Sequence, residues 1–228
     1  MDTLSPPPDS ATVRAYRALE RMIVTLELAP GSIATEGALI ERVGLGRTPV
    51  REAIQRFAWE GLVEIRPRAG LAIAPLRGED WVRVLDARSG IEQVLARSAA
   101  RNVEADVSRR LETAADAMRA AAGSGDVFAF LEADKALDEV MAAAAGNPFA
   151  ARVAAPLQTH SRRFWFRYQA AAGLAAAAER HVGLIRAILS GDSRAAGEEA
   201  KRLMGLLYRY AEPWRSLEAP LCRSGRPS

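Results

Sequence analysis

Val50, Ala53, Ile54 and Phe57 stand at i, i+3, i+4 and i+7, the spacing of one face of an α-helix. On another face, Arg47, Arg51 and Gln55 recur every fourth residue. Residues 44–62, GLGRTPVREAIQRFAWEGL, therefore predict a tight turn followed by a short helix with an apolar side and an arginine edge. A fully buried helix has no use for such an edge. A helix laid in the major groove of DNA does, because Arg and Gln pair with base edges or phosphates there.

The same reading along the chain predicts the neighbours of this helix. Residues 1–9 form a proline-rich, disordered tail. Ser10 caps a helix to about Leu26, with Val13, Tyr16, Leu19, Ile23 and Leu26 on one side, and Ala29-Pro30-Gly31 ends it. A second helix follows Thr35, with Leu39, Ile40 and Val43 inward, and Gly44 turns the chain into the arginine-edged helix. Pro49 is tolerated in its first turn, and Gly61 closes it in the left-handed conformation. Leu62–Arg66 alternates as a strand, 67–70 turns, and Leu71–Ala74 returns. Three helices and a β-hairpin make a winged helix-turn-helix over residues 10–75.

Residues 76–79 form a linker, and no strand signal follows. Breaks at Gly123-Ser124-Gly125, Gly146-Asn147-Pro148, Gly173 and Gly191-Asp192 divide residues 80–212 into six helices, about 80–102, 105–122, 126–145, 148–171, 174–190 and 193–211. Asp192 or Ser193 caps the last, and 213–228 is a loose tail. The fold class is mainly α, a winged helix-turn-helix followed by an all-helical bundle.

Composition changes this picture little. Hydrophobic residues at 49% and charged residues at 26% are ordinary for a globular chain. The net charge of +3 is too small to argue nucleic-acid binding, and through residue 76 nine arginines meet nine acids. Where the arginines point, not their number, carries that reading. The single cysteine, Cys222, excludes a disulfide framework and a cysteine metal cage. No apolar run approaches the roughly 20 residues of a membrane span, and MDTLSPPPDS is unlike a signal peptide. A soluble cytoplasmic protein without a membrane partner is expected.

LELAPGS at 26–32 and GLGRTPVREAIQRFAWEGLVEIRPRAG at 44–70 resemble the GntR family of bacterial transcriptional regulators. The matching features are the L-x-P-G turn, the R-T-P-V-R-E-A recognition helix, E-G-L-V and a glycine-tipped wing. The resemblance implies DNA contact by Arg47 and Arg51 with Thr48 beside them, and Gly70 matches the wing-tip glycine that lets backbone approach the minor groove. Helix geometry adds Gln55 and Arg56, and Arg68 is near enough to touch phosphate. Gly46 departs from the family, which usually has Ser or Thr there, so a capping hydroxyl is missing.

The second half resembles the FCD effector domain of the FadR subfamily. VLDARSGIEQVLARSAAR at 84–101 carries Arg88 and Glu92 at the R-x-x-x-E positions, and LEADKALDEVMAAAAGN at 131–147 and ERHVGLIRAILSGD at 179–192 match two further segments. This resemblance implies a divalent metal ion held by one Asp and three His, anchoring a small carboxylate. Here the Asp is Asp134, the first His position holds Asp138, the second is His181, and the third falls on Leu203, which cannot ligate. Asp134 and Asp138 are four apart and face one cavity, where they repel unless a cation lies between them: a metal, an arginine such as Arg88, or a basic ligand. Alternatively they sit on a wet helix face, with His181 an ordinary hydrogen-bonded histidine. Glu199, one turn before Leu203, is a weaker candidate. His160 is read as structural or exposed, and Phe164, Trp165, Phe166 and Tyr168 as core or dimer contacts rather than a ligand box.

The expected function is a homodimeric regulator that binds a palindromic operator in double-stranded DNA and responds to a small effector, an organic acid, near Arg88, Asp134, Asp138 and His181. It is not expected to be an enzyme, since no nucleophile or oxyanion hole stands at a defined spacing. Two competing readings are a metal-dependent enzyme built on the helical bundle and a DNA binder without effector response.

Overall fold

The computed structural model describes residues 10–215; the expected disordered segment 1–9, most of the expected tail and Cys222 lie outside the described residues. The chain divides into two compact units, Met1–Leu76 and Arg77–Ser228.

The first unit begins with α1 (Ala11–Val24), capped by the Ser10 hydroxyl, which accepts from the Val13 amide. It continues through β1 (Ile33–Ala34), α2 (Glu36–Val43), α3 (Arg47–Trp59), β2 (Val63–Arg66) and β3 (Gly70–Ile73). Thr35 caps α2, and Gly44 ends it at φ 68°. Val50, Ala53, Ile54 and Phe57 are all buried, so the apolar face of α3 is the one that periodicity selects. Tyr16 stacks on Phe57 with ring centroids 4.4 Å apart, which locks α1 onto α3. On α1, Val13 departs from expectation and lies outward.

The wing is a three-stranded antiparallel sheet in the order β1-β3-β2, not a bare hairpin. Ile33 pairs with Ala72 and Ala34 with Leu71, so two residues after the Pro-Gly turn cover the outer edge of β3. A two-residue strand is too short for alternation to reveal.

The second unit holds five helices among the described residues: α4 (Gly78–Ala99), α5 (Ala105–Ser124), α6 (Val127–Ala144), α7 (Pro148–Leu189) and α8 (Ser193–Arg215). The break expected at Gly173 is absent, because α7 runs through it. One glycine costs about 1 kcal/mol in a helix, which the flanking alanines offset. Pro213 likewise lies inside α8 and does not end it. The other expected breaks hold: Gly125 is left-handed after α5, Asn147 caps α7, and the Asp192 carboxylate accepts from the amides of Arg194 and Ala195.

Although unbroken, α7 is not straight. Arg162 and His181 both reach Asp134 on α6. Nineteen residues of straight helix span about 28 Å, more than these two side chains can bridge. The helix therefore bends between them, in the stretch that contains Gly173.

Candidate nucleic-acid interface and charged cavity

The polar edge of α3 is a surface feature. Arg47, Thr48, Arg51, Gln55 and Arg56 are exposed on it. Arg47 begins the helix, where Gly46 is the N-cap and supplies no side-chain cap. Arg51 Nε donates to Glu36 Oε1 on α2 at 2.7 Å, an exposed pair that competes weakly with a phosphate or base. Arg56 behaves differently. Its guanidinium lies 3.9 Å over the Tyr16 ring and its Nε donates to Glu60 at 2.8 Å, so it fastens α3 to α1. Glu52 accepts from Thr12 Oγ1 rather than pairing with the arginine edge.

The wing tip carries Arg68, exposed and left-handed at φ 63°. A non-glycine residue is uncommon there, and the conformation projects the side chain from the turn between β2 and β3. Gly70, at φ 100°, was expected to let the backbone approach DNA. The close approach the structure contains is internal: a Cβ at Gly70 would lie 2.7 Å from the Ala34 carbonyl on β1. Glycine at this position admits the third strand.

The second unit holds a buried charged cluster. Asp134 and Asp138 on α6 are each 6% exposed, which rules out the wet helix face. The cation between them is chiefly Arg162 on α7, whose Nη1 lies 2.6 Å from Asp138 Oδ2 and 3.4 Å from Asp134 Oδ2. Arg88, the expected cation, instead donates from Nε to Glu92 at 2.6 Å, and its Nη2 is 4.0 Å from Asp138 Oδ1. Gln158 donates to the same Glu92 oxygen. His181 places Nε2 at 2.8 Å from Asp134 and Nδ1 at 2.6 Å from the Ala177 carbonyl.

Both neighbours of the His181 ring are acceptors, so both of its nitrogens carry protons. Burial opposes that charge, but the Asp134 carboxylate outweighs it and holds the imidazole above its ordinary range. Burial likewise opposes ionisation of Asp134, yet His181, Arg162 and Arg88 keep it well below the usual carboxylate range. Asp138 goes the other way: burial, then Asp134 and Glu92, push it up to about 7 against the pull of Arg162 and Arg88.

These groups border a small cavity lined by Arg88, Phe130, Asp134, Arg162, Trp165 and His181, with Leu207 from α8. The space open to the centre of a water molecule is about 20 Å³, room for one or two waters, so a larger guest must move the walls. Trp165, expected as a core or dimer contact, is one of those walls. Leu203 is buried outside the lining, and Glu199 pairs with Arg202.

The donor set does not fit the metal ion implied by the family. His181 is held between Asp134 and the Ala177 carbonyl, and both aspartates are already paired to the Arg162 guanidinium. Among the described residues no group of three His, Cys, Asp or Glu side chains is arranged to hold a metal. Sequence reasoning missed Arg162, Gln158 and Thr159, the last accepting from Arg162 Nη2 at 3.2 Å. The available signal was a pair of arginines inside the aromatic run of QTHSRRFWFRYQ, where burial demands acidic partners.

Comparison with known proteins places both units. Residues 11–73 match the bacterial regulatory proteins of the gntR family, and residues 83–206, more than half of the chain, match the FCD domain. The chain belongs to the GntR family. It is a transcriptional regulator of that family with an FCD domain. Among relatives of this GntR protein is an uncharacterised HTH-type transcriptional regulator of Agrobacterium vitis, 33% identical over 136 residues, or 58% of this chain and 80% of that one. The HTH-type transcriptional repressor RspR of Escherichia coli K12 is 30% identical over 139 residues, 59% of each chain. The solved structure of E. coli McbR/YncC shares the fold, with a TM-score of 0.73 at 18% identity, covering 88% of this chain and 98% of that one. No helix among the described residues is long and apolar enough to cross a membrane.

Proposed function

We propose that this GntR regulator binds a specific operator as a homodimer and that a small organic acid in the FCD cavity controls its affinity. The observation that carries the DNA part is the exposed edge of α3, with Arg47, Arg51 and Gln55 held outward by the buried face opposite. Two copies would present two such helices to the half-sites of a palindrome, while Arg68 reaches the flanking backbone. The effector part rests on the buried polar cavity, whose cost is retained in a bundle that could have been apolar.

Mobility shift with the DNA upstream of the protein's own gene tests the reading. A salt-sensitive, sequence-specific shift is expected, and its absence with and without small acids would sink the proposal. A specific shift that no acid changes would instead favour a DNA binder without effector response. The metal-dependent enzyme gains no support from a donor set already committed to arginine.

A further inference from the structure

We propose that Arg162 is the resident cation of the FCD cavity, a guanidinium standing where the family resemblance puts a divalent metal, and that the cavity takes a small carboxylate without any metal. The ligand part rests on the effector reading above; the metal part stands apart from it.

Arg162 bridges the two aspartates from α7 in the way a metal would bridge them, with Nη1 within reach of both Asp138 Oδ2 and Asp134 Oδ2. It is nine-tenths buried and held from a third side by Thr159. The acidic groups are matched without an added ion: Asp134, Asp138 and Glu92 already face Arg88, Arg162 and His181. A divalent cation could bind both aspartates only by displacing the Arg162 guanidinium and leaving it buried without its acidic partners, a steep desolvation cost.

What remains unused in the cavity is a set of donors. The terminal nitrogens of Arg88 make no hydrogen bond among the described residues, the nearer contact being the 4.0 Å approach to Asp138. Ser161, 1% exposed, also lines the cavity. Trp165 Nε1 is buried without one. The idle donors of Arg88 and Trp165, both lining one space, call for an acceptor-rich guest, and a carboxylate supplies two oxygens and the charge that suits Arg88.

Elemental analysis and thermal melting of the full-length protein decide the metal part. After dialysis without chelator the protein should hold far less than one equivalent of zinc, manganese or nickel, and EDTA should leave its Tm unchanged. One retained equivalent, or a Tm drop of several degrees in EDTA, would overturn the proposal. Arg162→Ala exposes Asp134, Asp138 and His181 to each other, so manganese or zinc should raise its Tm by several degrees where neither moves the native protein. A folded variant indifferent to both ions counts against the stand-in role, and if the variant does not fold, the native measurements alone decide. Melting in EDTA with acetate, propionate and succinate reads the ligand part. A rise in Tm that Arg88→Gln removes supports it. No rise with any of the three overturns carboxylate binding and leaves the metal result standing.

Discussion

At the scale of single residues, the α3 arginines separate by what they already touch. Arg47 has no ion-pair partner among the described residues, and Arg51 has only the exposed Glu36, so both are available to DNA. Alanine at either position should weaken operator binding by about 1–3 kcal/mol, measured by fluorescence anisotropy across a salt series. Arg56→Ala should do the reverse: it should lower the melting temperature by removing the Tyr16 stack and the Glu60 pair, while changing DNA affinity little. Equal loss of affinity in all three variants would refute this division. At Gly46, a Cβ would meet nothing closer than Pro49 Cδ at 3.8 Å, and φ is −60°. Gly46→Ser should therefore supply the missing cap and stabilise the first unit by a few tenths of a kcal/mol in denaturant titration.

At the scale of elements, the charged pair of helices α6 and α7 sets a pH dependence. Folded Asp138 sits near pH 7 against an ordinary 3.8, so the native state holds more protons than the unfolded chain between those values, and stability falls as pH rises through that window. His181, raised above 6.5, acts in the same sense: its contribution is full below 6.5 and is lost as pH climbs past its folded value. Asp134 opposes them only in acid, since its contribution disappears as pH falls below 3.8. The protein should melt lower at pH 8 than at pH 5.5, and Asp138→Asn should flatten that difference. A steeper slope in the variant would be the wrong sign. Helix periodicity made α1, α2, α3 and the start of the bundle legible, because each buries one apolar stripe and ends at a glycine or a capping side chain. Three features escaped it for physical reasons. β1 is two residues long, Gly173 is outvoted by its alanine neighbours, and the partner of Asp138 lies twenty-four positions away on another helix. Tertiary pairing of buried charges leaves no local signature, so the cluster was half visible: the aspartates and His181 from motif positions, Arg162 not at all.

At the scale of the whole molecule, the exposed arginine edge of α3 belongs to one compact unit and the buried charged cavity to the other. Binding to a palindrome should show two protomers per duplex, and sedimentation of the protein with a labelled operator should give that ratio; a 1:1 complex at saturation would contradict the dimer. The bend in α7 bears on the proposed response to a guest. Arg162 lies on one arm of that helix and His181 on the other, and Asp134 clasps both. Under the proposed effector reading, a guest that draws on either contact would act on two arms of a single continuous helix. Arg162 is held on its arm by Asp138 as well, so Asp134→Asn should loosen the His181 arm first and lower the melting temperature.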